Sequence, residues 1–344
     1  MNPKISVIIL NYNAGELLLN CVESVLNTNY DNLEIIVVDN ASSDNSHRLC
    51  KEKYNMINLI ENDKNEGYCE GNNVGLRYAK GEFVAILNPD TIVDSQWLKE
   101  LLLSYNKFGD GLYQPKLLST SNHQIFNSAG NMIQLFGFGY SRGKGEIDNG
   151  QFNNDETVGY SSGACLFTSL KIIKRIGLFD PFLFAYHDDL DLGWRSLLLG
   201  IKSFYIPKSI VYHAESFSFK WSPYKFFLLE RNRHYCLLTH YSKRTFYRIL
   251  PMLFLVEIGI FFFFLSKGLI VPKIRAYSDI IKNRKQISKR YAELQSTRII
   301  DDKKITHYFQ NEVFVPKEVS TKLINKLFNN FITVLSKLAR SVIS

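Results

Sequence analysis

The chain carries no CxxC pair and no cysteine–histidine spacing of the metal-binding kind. Its five cysteines, Cys21, Cys50, Cys69, Cys165 and Cys236, stand far apart, which argues against a zinc site or a disulfide framework and suits a reducing compartment. Met1 to Leu10 lack the charged stretch, apolar core and cleavage site of a secretory signal, so the folded part of the chain is expected to stay in the cytoplasm. Neither GxGxxG nor GxxxxGKS/T occurs in the turns after the early strands, so the dinucleotide-binding and P-loop readings lose support. No nucleic-acid-binding motif accompanies the basic residues, and nucleic acid is not expected as a partner.

What is present is a chain of 344 residues, 46% hydrophobic and 14% aromatic. That is enough for one large domain with an appendage, or for two modest domains. Lysine and arginine outnumber aspartate and glutamate by 41 to 33, a net charge of +8. Such a surplus suits an anionic membrane surface or a phosphorylated substrate as well as it would suit nucleic acid.

Ile5 to Leu10 is a nearly continuous, β-branched apolar run, as expected for a strand buried on both faces. A helix follows from about Gly15 to Asn27, then a second strand from Leu33 to Val38 that ends in Asp39-Asn40. Ser42, Ser43 and Asp44 are candidate N-caps for a helix to about Tyr54. Ile57 to Ile60 and Phe83 to Leu87 read as further strands, with Asn65-Glu66-Gly67-Tyr68 and a helix carrying Asn72, Asn73 and Gly75 between them. This alternation predicts an α/β fold with a doubly wound, mostly parallel, Rossmann-like sheet. Later come a helix to about Phe108, strands at Leu112–Leu118 and Ile125–Ile133, and a polar surface insertion from Phe136 to Asn154. Short strands at Lys202–Ile206 and Ile210–His213 precede a helix from Phe226 to Leu238.

Ligands of open α/β sheets bind beyond the carboxyl ends of the strands, and right-handed crossovers put those ends along one edge. Asp39, the Asn65 loop and Asp90 are therefore expected to converge. Leu87-Asn88-Pro89-Asp90 reads equally as a turn by composition and as a place where a carboxylate holds a divalent cation against a diphosphate. In Tyr186-His187-Asp188-Asp189-Leu190-Asp191, three carboxylates open a helix. The helix dipole favours each by about 0.3–1 kcal/mol, but three beside a histidine exceed that explanation. Their repulsion is expected to raise at least one pKa and to leave a general base near neutral pH. His213 at a strand end is structural or a ligand. Arg231, beside Arg233, belongs to a solvated face or clamps a diphosphate. Ser162 and Trp194 are candidate acceptor contacts.

The character changes after residue 240. Ile249 to Leu265 is apolar over 17 residues except for Glu257, short for a membrane span. Basic residues on both sides favour an in-plane or re-entrant segment, with a core helix as the alternative. From Ser320, Leu323, Leu327, Phe331, Leu335, Leu338 and Val342 recur at helical spacing among Lys322, Lys326, Lys337 and Arg340, a pattern of membrane-surface or partner-binding helices. The expected organisation is a catalytic domain over 1–240 (halves 1–110 and 111–240), a membrane-associating segment over 241–275 and a basic helical extension over 276–344.

Seven motifs in order resemble glycosyltransferase family 2, the inverting sugar-nucleotide enzymes of the GT-A fold, and especially its rhamnosyltransferase-like members. They are Val7-Ile8-Ile9-Leu10-Asn11-Tyr12-Asn13, Val37-Val38-Asp39-Asn40-Ala41-Ser42, Asn65-Glu66-Gly67-Tyr68, Asn72-Asn73-Val74-Gly75, Leu87-Asn88-Pro89-Asp90, Gly177-Leu178-Phe179-Asp180 and Asp188-Asp189-Leu190-Asp191-Leu192. The resemblance implies that Asp39 holds the nucleotide base, with Asn11 and Asn13 lining that pocket beside Asn40. It implies that Asn65, Gly67 and Asn73 close over the nucleotide. Asn88 to Asp90 takes the place of the DxD motif, whose last carboxylate binds Mg2+ or Mn2+, with His213 as a further metal or diphosphate contact. Asp189 is the implied base, Asp188 its partner and Asp191 the reserve. The implied partners are a nucleotide-diphosphate sugar, a glycan or lipid-linked acceptor and, through the C-terminal segments, the cytoplasmic face of the membrane. Because Asn88 replaces the first aspartate, a catalytically silent sugar-nucleotide-binding scaffold stays open, as does a nucleotidyltransferase.

Overall fold

In a computed structural model the described residues are 2–215, 222–314 and 322–343, and they form two compact units. Unit 1 comprises 2–131, 141–193 and 201–215, and unit 2 comprises 132–140, 194–200 and the described residues from 222 onward. The units divide differently from the boundary expected at 240: the chain leaves the first unit before residue 222, and two earlier segments belong to the second.

Unit 1 begins with β1 (Ile5–Asn11), α1 (Glu16–Leu26), β2 (Leu33–Asp39), α2 (Ser46–Lys53), β3 (Asn58–Glu61), α3 (Gly67–Tyr78) and β4 (Phe83–Leu87). The chain continues through β5 (Thr91–Val93), α4 (Trp97–Phe108), β6 (Gly111–Ser119), β7 (Phe126–Ser128), β8 (Asn131–Ile133), β9 (Gly139–Ser141), β10 (Glu156–Val158), β11 (Cys165–Ser169), α5 (Leu170–Ile176), α6 (Asp188–Leu198) and β12 (Lys202–His213), of which β8 and β9 fall mostly in unit 2. The short β8 and β9 pair with each other, and the unit division falls within α6.

The main sheet runs β10-β12-β6-β11-β4-β1-β2-β3, with β5 on β12 and β7 on β6. The strands β4, β1, β2 and β3 are parallel, as are β6 and β12, whereas β11 is antiparallel to both neighbours. Side chains alternate between faces along a strand, so both faces of β1 and β2 need cover. Val7, Ile9, Ile35 and Val37 pack with Leu18, Val22 and Trp97 of α1 and α4. On the other face α3 lies close enough that a Cβ on Gly71 would stand 2.5 Å from Leu10, and one on Gly75 2.5 Å from Ile8. That close approach explains two glycines one helical turn apart, and it buries the continuous apolar runs seen in the sequence.

Three local expectations are corrected. The helix expected to start near Ser42 starts at Ser46, because Asp44 accepts from Ser46 N while Ser42 is engaged with Asp39 and Asn13. Lys202 to His213 is one strand with an irregularity between Ile206 and Ile210, not two strands. The polar stretch read as a surface insertion starts in the interior, with Phe136 fully buried, and is tied down farther on: Arg142 donates to Ala129 O, and Lys116 Nζ lies 2.6 Å from Asp148.

Unit 2 contains α7 (Pro223–His240), α8 (Lys243–Ser266), α9 (Ile270–Lys282), α10 (Arg284–Thr297), α11 (Asp302–Thr306) and α12 (Lys322–Val342). Ser222 and Ser242 cap α7 and α8 by accepting from the backbone N–H groups of Lys225 and Thr245. The apolar segment expected at Ile249–Leu265 is part of the longer α8. Its single carboxylate, Glu257, faces a buried ion cluster: Lys273 Nζ lies 2.6 Å from Glu230 and 2.7 Å from Glu257, Arg233 pairs with both acids, and Tyr277 donates to Glu257. The cluster joins α7, α8 and α9, so the charge that interrupts the apolar run in the sequence is compensated in the fold.

Candidate active site

The carboxyl end of β1 lies beside that of β2, with Asn11 opposite Asp39 in register. Asn11 Nδ2 donates to Asp39 Oδ1 at 2.7 Å and to Ser46 Oγ at 2.9 Å, and Ser42 N donates to the other Asp39 oxygen. His47 Nδ1 stands 3.3 Å from Asp39 Oδ1 and its Nε2 3.1 Å from Glu61. Asp39 is thus buried but held in orientation by three neighbours. Asn13, in the left-handed region at φ 53°, accepts from Ser43 N.

Asn40 extends this edge: its Nδ2 donates to Asn65 Oδ1 and to Gly67 O, and Asn65 Oδ1 also accepts from Gly67 N. Gly67 (φ 79°) meets the loop before α6, where an added Cβ would stand 2.7 Å from Phe184 O. Asn73 points elsewhere. It staples α3 to Phe179, giving Nδ2 to the Phe179 carbonyl and accepting from its N–H, so the structure places it in packing against the Gly177–Asp180 turn.

Asp90 and His213 meet from opposite ends of the sequence because β5 pairs with β12, Thr91 opposite His213. His213 Nε2 lies 3.3 Å from Asp90 Oδ1, and both side chains are nearly buried. On its other side, His213 Nδ1 is 3.0 Å from Asn127 Oδ1, while Asn127 hydrogen-bonds Glu215. A carboxylate accepts, so Asn127 turns its NH2 to Glu215 and its carbonyl oxygen to the ring. A carboxylate with an imidazole nitrogen 3.3 Å away is a donor set that fits a divalent cation. Nothing in the sequence marks Asn127, which reaches His213 only through the β6, β7 and β12 pairings.

The acidic helix start lies against the turn before β11. Asn88 N donates to Ala164 O at 3.0 Å and Gly163 N donates to Asp189 Oδ2 at 3.1 Å, so one turn is bonded to both carboxylate motifs. Tyr68 OH donates to Gly163 O at 2.6 Å from the α3 side. Asp188 is buried and Asp189 is partly exposed. Burial, then the charge of Asp189, pushes the Asp188 carboxyl well above the usual range. Burial raises Asp189 to about 6, against the opposing donations from Gly163 N and Leu190 N. Phe184, Tyr186 and His187, just before these acids, all take positive φ, a costly backbone conformation of the kind concentrated at functional sites. Asp191 is wholly buried. Ser162 is partly exposed in the same turn, its N–H given to Gln114. Tyr68 and Gly163 are the positions that sequence reasoning passed over; Tyr68 stood inside a motif without a role.

Arg231 and Trp194 belong to unit 2. Trp194 is fully buried against His240, Tyr241 and Phe309, with ring centroids 4.8–5.0 Å apart, so it is a core residue of that unit and presents no surface for an acceptor. Arg231 is paired with Asp279 at 3.6 Å and lies over Phe227.

The family model for Glycosyl transferase family 2 matches residues 6–177. A hexosyltransferase of low-salt glycan biosynthesis, Agl10 of Haloferax volcanii, is 26% identical over 200 residues, 57% of this chain and 62% of the relative. The chain thus spans less than two thirds of that relative's length. Among solved structures, GalNAc-T7 with UDP, GalNAc and Mn2+ superposes with a TM-score of 0.59 at 16% identity, over 73% of this chain and 51% of the other. The mannosyltransferase PcManGT of Pyrobaculum calidifontis with GDP-Man and Mn2+ gives 0.53 at 15% identity, over 98% and 88%. At those identities the likeness is one of fold, a mixed α/β architecture with a mostly parallel sheet. With its family match covering half its length, from β1 to the end of α5, this chain belongs to glycosyl transferase family 2.

Proposed function

We propose that the protein transfers a hexosyl or deoxyhexosyl group from a nucleotide-diphosphate sugar to a hydroxyl of a glycan or lipid-linked acceptor, with inversion, in the building of a cell-surface polysaccharide or glycoconjugate. The observation that carries this is the turn at Gly163–Ala164, which hydrogen-bonds the Asn88 turn on one side and Asp189 on the other. That contact supports a reading in which a donor-diphosphate end and a general base share one sheet edge.

Asp189, partly exposed and raised to about 6, takes the acceptor proton as the acceptor oxygen attacks the anomeric carbon. The bond from that carbon to the diphosphate oxygen breaks in the same displacement, so the configuration inverts. Asn11 and Asp39 orient the base of the nucleotide, and Asn40 with Asn65 shapes the neighbouring loop. Asp90 and His213 would hold the divalent cation, Mg2+ or Mn2+, whose contribution is to neutralise charge on the departing diphosphate. The imidazole favours Mn2+, since Mg2+ takes oxygen ligands. The ligands named for the two solved neighbours and the glycan-building role of the relative support this reading.

The test is a thermal-shift panel of nucleotide sugars with and without Mn2+ or Mg2+, followed by product analysis with extracted lipid and glycan acceptors. One donor is expected to raise the melting temperature by mass action and to release a nucleoside diphosphate. Release of pyrophosphate, or donor binding without turnover on every acceptor, overturns the assignment.

A further inference from the structure

Part of the apolar surface of unit 2 is turned outward. On α8, Phe254 and Phe262 are 63% and 62% exposed, and Leu265 is about half exposed. The inward side of α8 carries Leu253, Val256 and Ile260, with Glu257 in the ion cluster. A soluble helix hides its apolar face and exposes its charge; α8 exposes phenylalanines and hides its carboxylate.

α12 packs on α8 and adds to the same exposed apolar set. Ile332, Leu335, Ala339 and Ile343 face inward, and the helix is pinned by Gln134 Nε2 to Ser336, by Arg340 to Asn311 and by Arg248 to Val342 O. Leu327, Val334 and Leu338 are left outside. The single stripe expected from sequence is thereby split, with Leu335 in the interior; the side chains of Lys322 and Leu323, and Ser320 itself, lie outside the described residues. Exposed cations accompany the apolar surface: Arg244 and Lys267 at the ends of α8, Arg275 and Lys282 on α9, Lys326 and Lys337 on α12. The acids of these three helices, Glu257 and Asp279, are each paired with an arginine of α7.

We infer that α8 and α12 form an interfacial membrane-binding face whose occupant is an anionic phospholipid bilayer, with α8 lying in the plane of the interface. Exposed apolar side chains enter the headgroup–acyl boundary and the surrounding cations meet lipid phosphates. A second copy of this chain would bring the same cations against these. A transmembrane course would carry the Glu257–Lys273–Arg233 cluster into hydrocarbon, and basic residues flank α8 at both ends, which disfavours translocating either one.

The test is co-sedimentation of the full chain with vesicles of phosphatidylcholine, with and without phosphatidylglycerol. Binding is expected to the anionic vesicles, to weaken with salt and to fall by roughly tenfold for each of Phe254→Ser and Phe262→Ser, with unchanged circular dichroism and melting temperature. Equal sedimentation of wild type and the double variant overturns the inference, as does self-association without vesicles that the double variant abolishes. An Ile258→Trp variant fixes the depth. Its added emission is expected to be quenched by shallow lipid-borne quenchers, and stronger quenching from the bilayer centre overturns the in-plane placement.

Discussion

His213 presents Nε2 to the Asp90 carboxylate at 3.3 Å across the β5–β12 pairing, while Asn127 holds the opposite ring nitrogen. The pair lies 123 residues apart in sequence, from 90 to 213. It sets an imidazole nitrogen beside the carboxylate of the Asn88-Pro89-Asp90 turn.

Asn127→Ala is expected to release the His213 ring and weaken Mn2+ binding by about 10–100-fold. Electron paramagnetic resonance titration of free Mn2+ measures this without turnover. Asp90→Asn should lose the binding altogether, and unchanged affinity in Asn127→Ala would show that the ring is held some other way.

Asp189→Asn should lower kcat by about 10²–10⁴-fold with donor affinity preserved. Its folded pKa lies above the ordinary aspartate value, so the folded state binds that proton more tightly than the unfolded chain. Asp189 therefore favours folding as pH falls through about 6 and opposes it as pH rises. The amide should raise the melting temperature at pH 7.5 and lose that advantage at pH 4. In the wild type, kcat should climb with pH up to about 6 and then level off.

Gly75→Val would press a side chain into Ile8 and Val38, where even a Cβ stands 2.5 and 3.0 Å away. A destabilisation of about 1–3 kcal/mol is expected from overpacking, read from urea unfolding. Gly145, with nothing near its Cβ position but φ 78°, is the contrasting site, where alanine should cost only about 1 kcal/mol in backbone conformation.

Glu257→Gln should destabilise unit 2 by about 3 kcal/mol, because it leaves Lys273 and Arg233 buried with one carboxylate between them. Thermal unfolding followed by circular dichroism measures it. Replacing Glu257, Arg233 and Lys273 together by apolar residues should recover much of the loss.

The strands β1, β2 and β4, and the edge at which Asn11, Asp39 and Asp90 collect, were legible from the sequence. Buried parallel strands demand continuous apolar runs, and their loops follow from chain order. The pair Asp188–Asp189 was legible as a cluster because three carboxylates in one helical turn exceed what a helix terminus needs. Asn127, Tyr68 and Gly163 were not legible, since each acts through a contact made only when distant strands and helices register. Trp194 was misplaced for the same reason: it stands five positions after Asp189 on α6, but its ring is packed in the other unit. In the C-terminal helices, hydropathy spacing established amphipathic segments and could not say which face turned inward. That depended on Ser336, Arg340 and Glu257 finding partners on Gln134, Asn311 and Lys273, because a buried polar or charged group must be satisfied before apolar faces can choose a side.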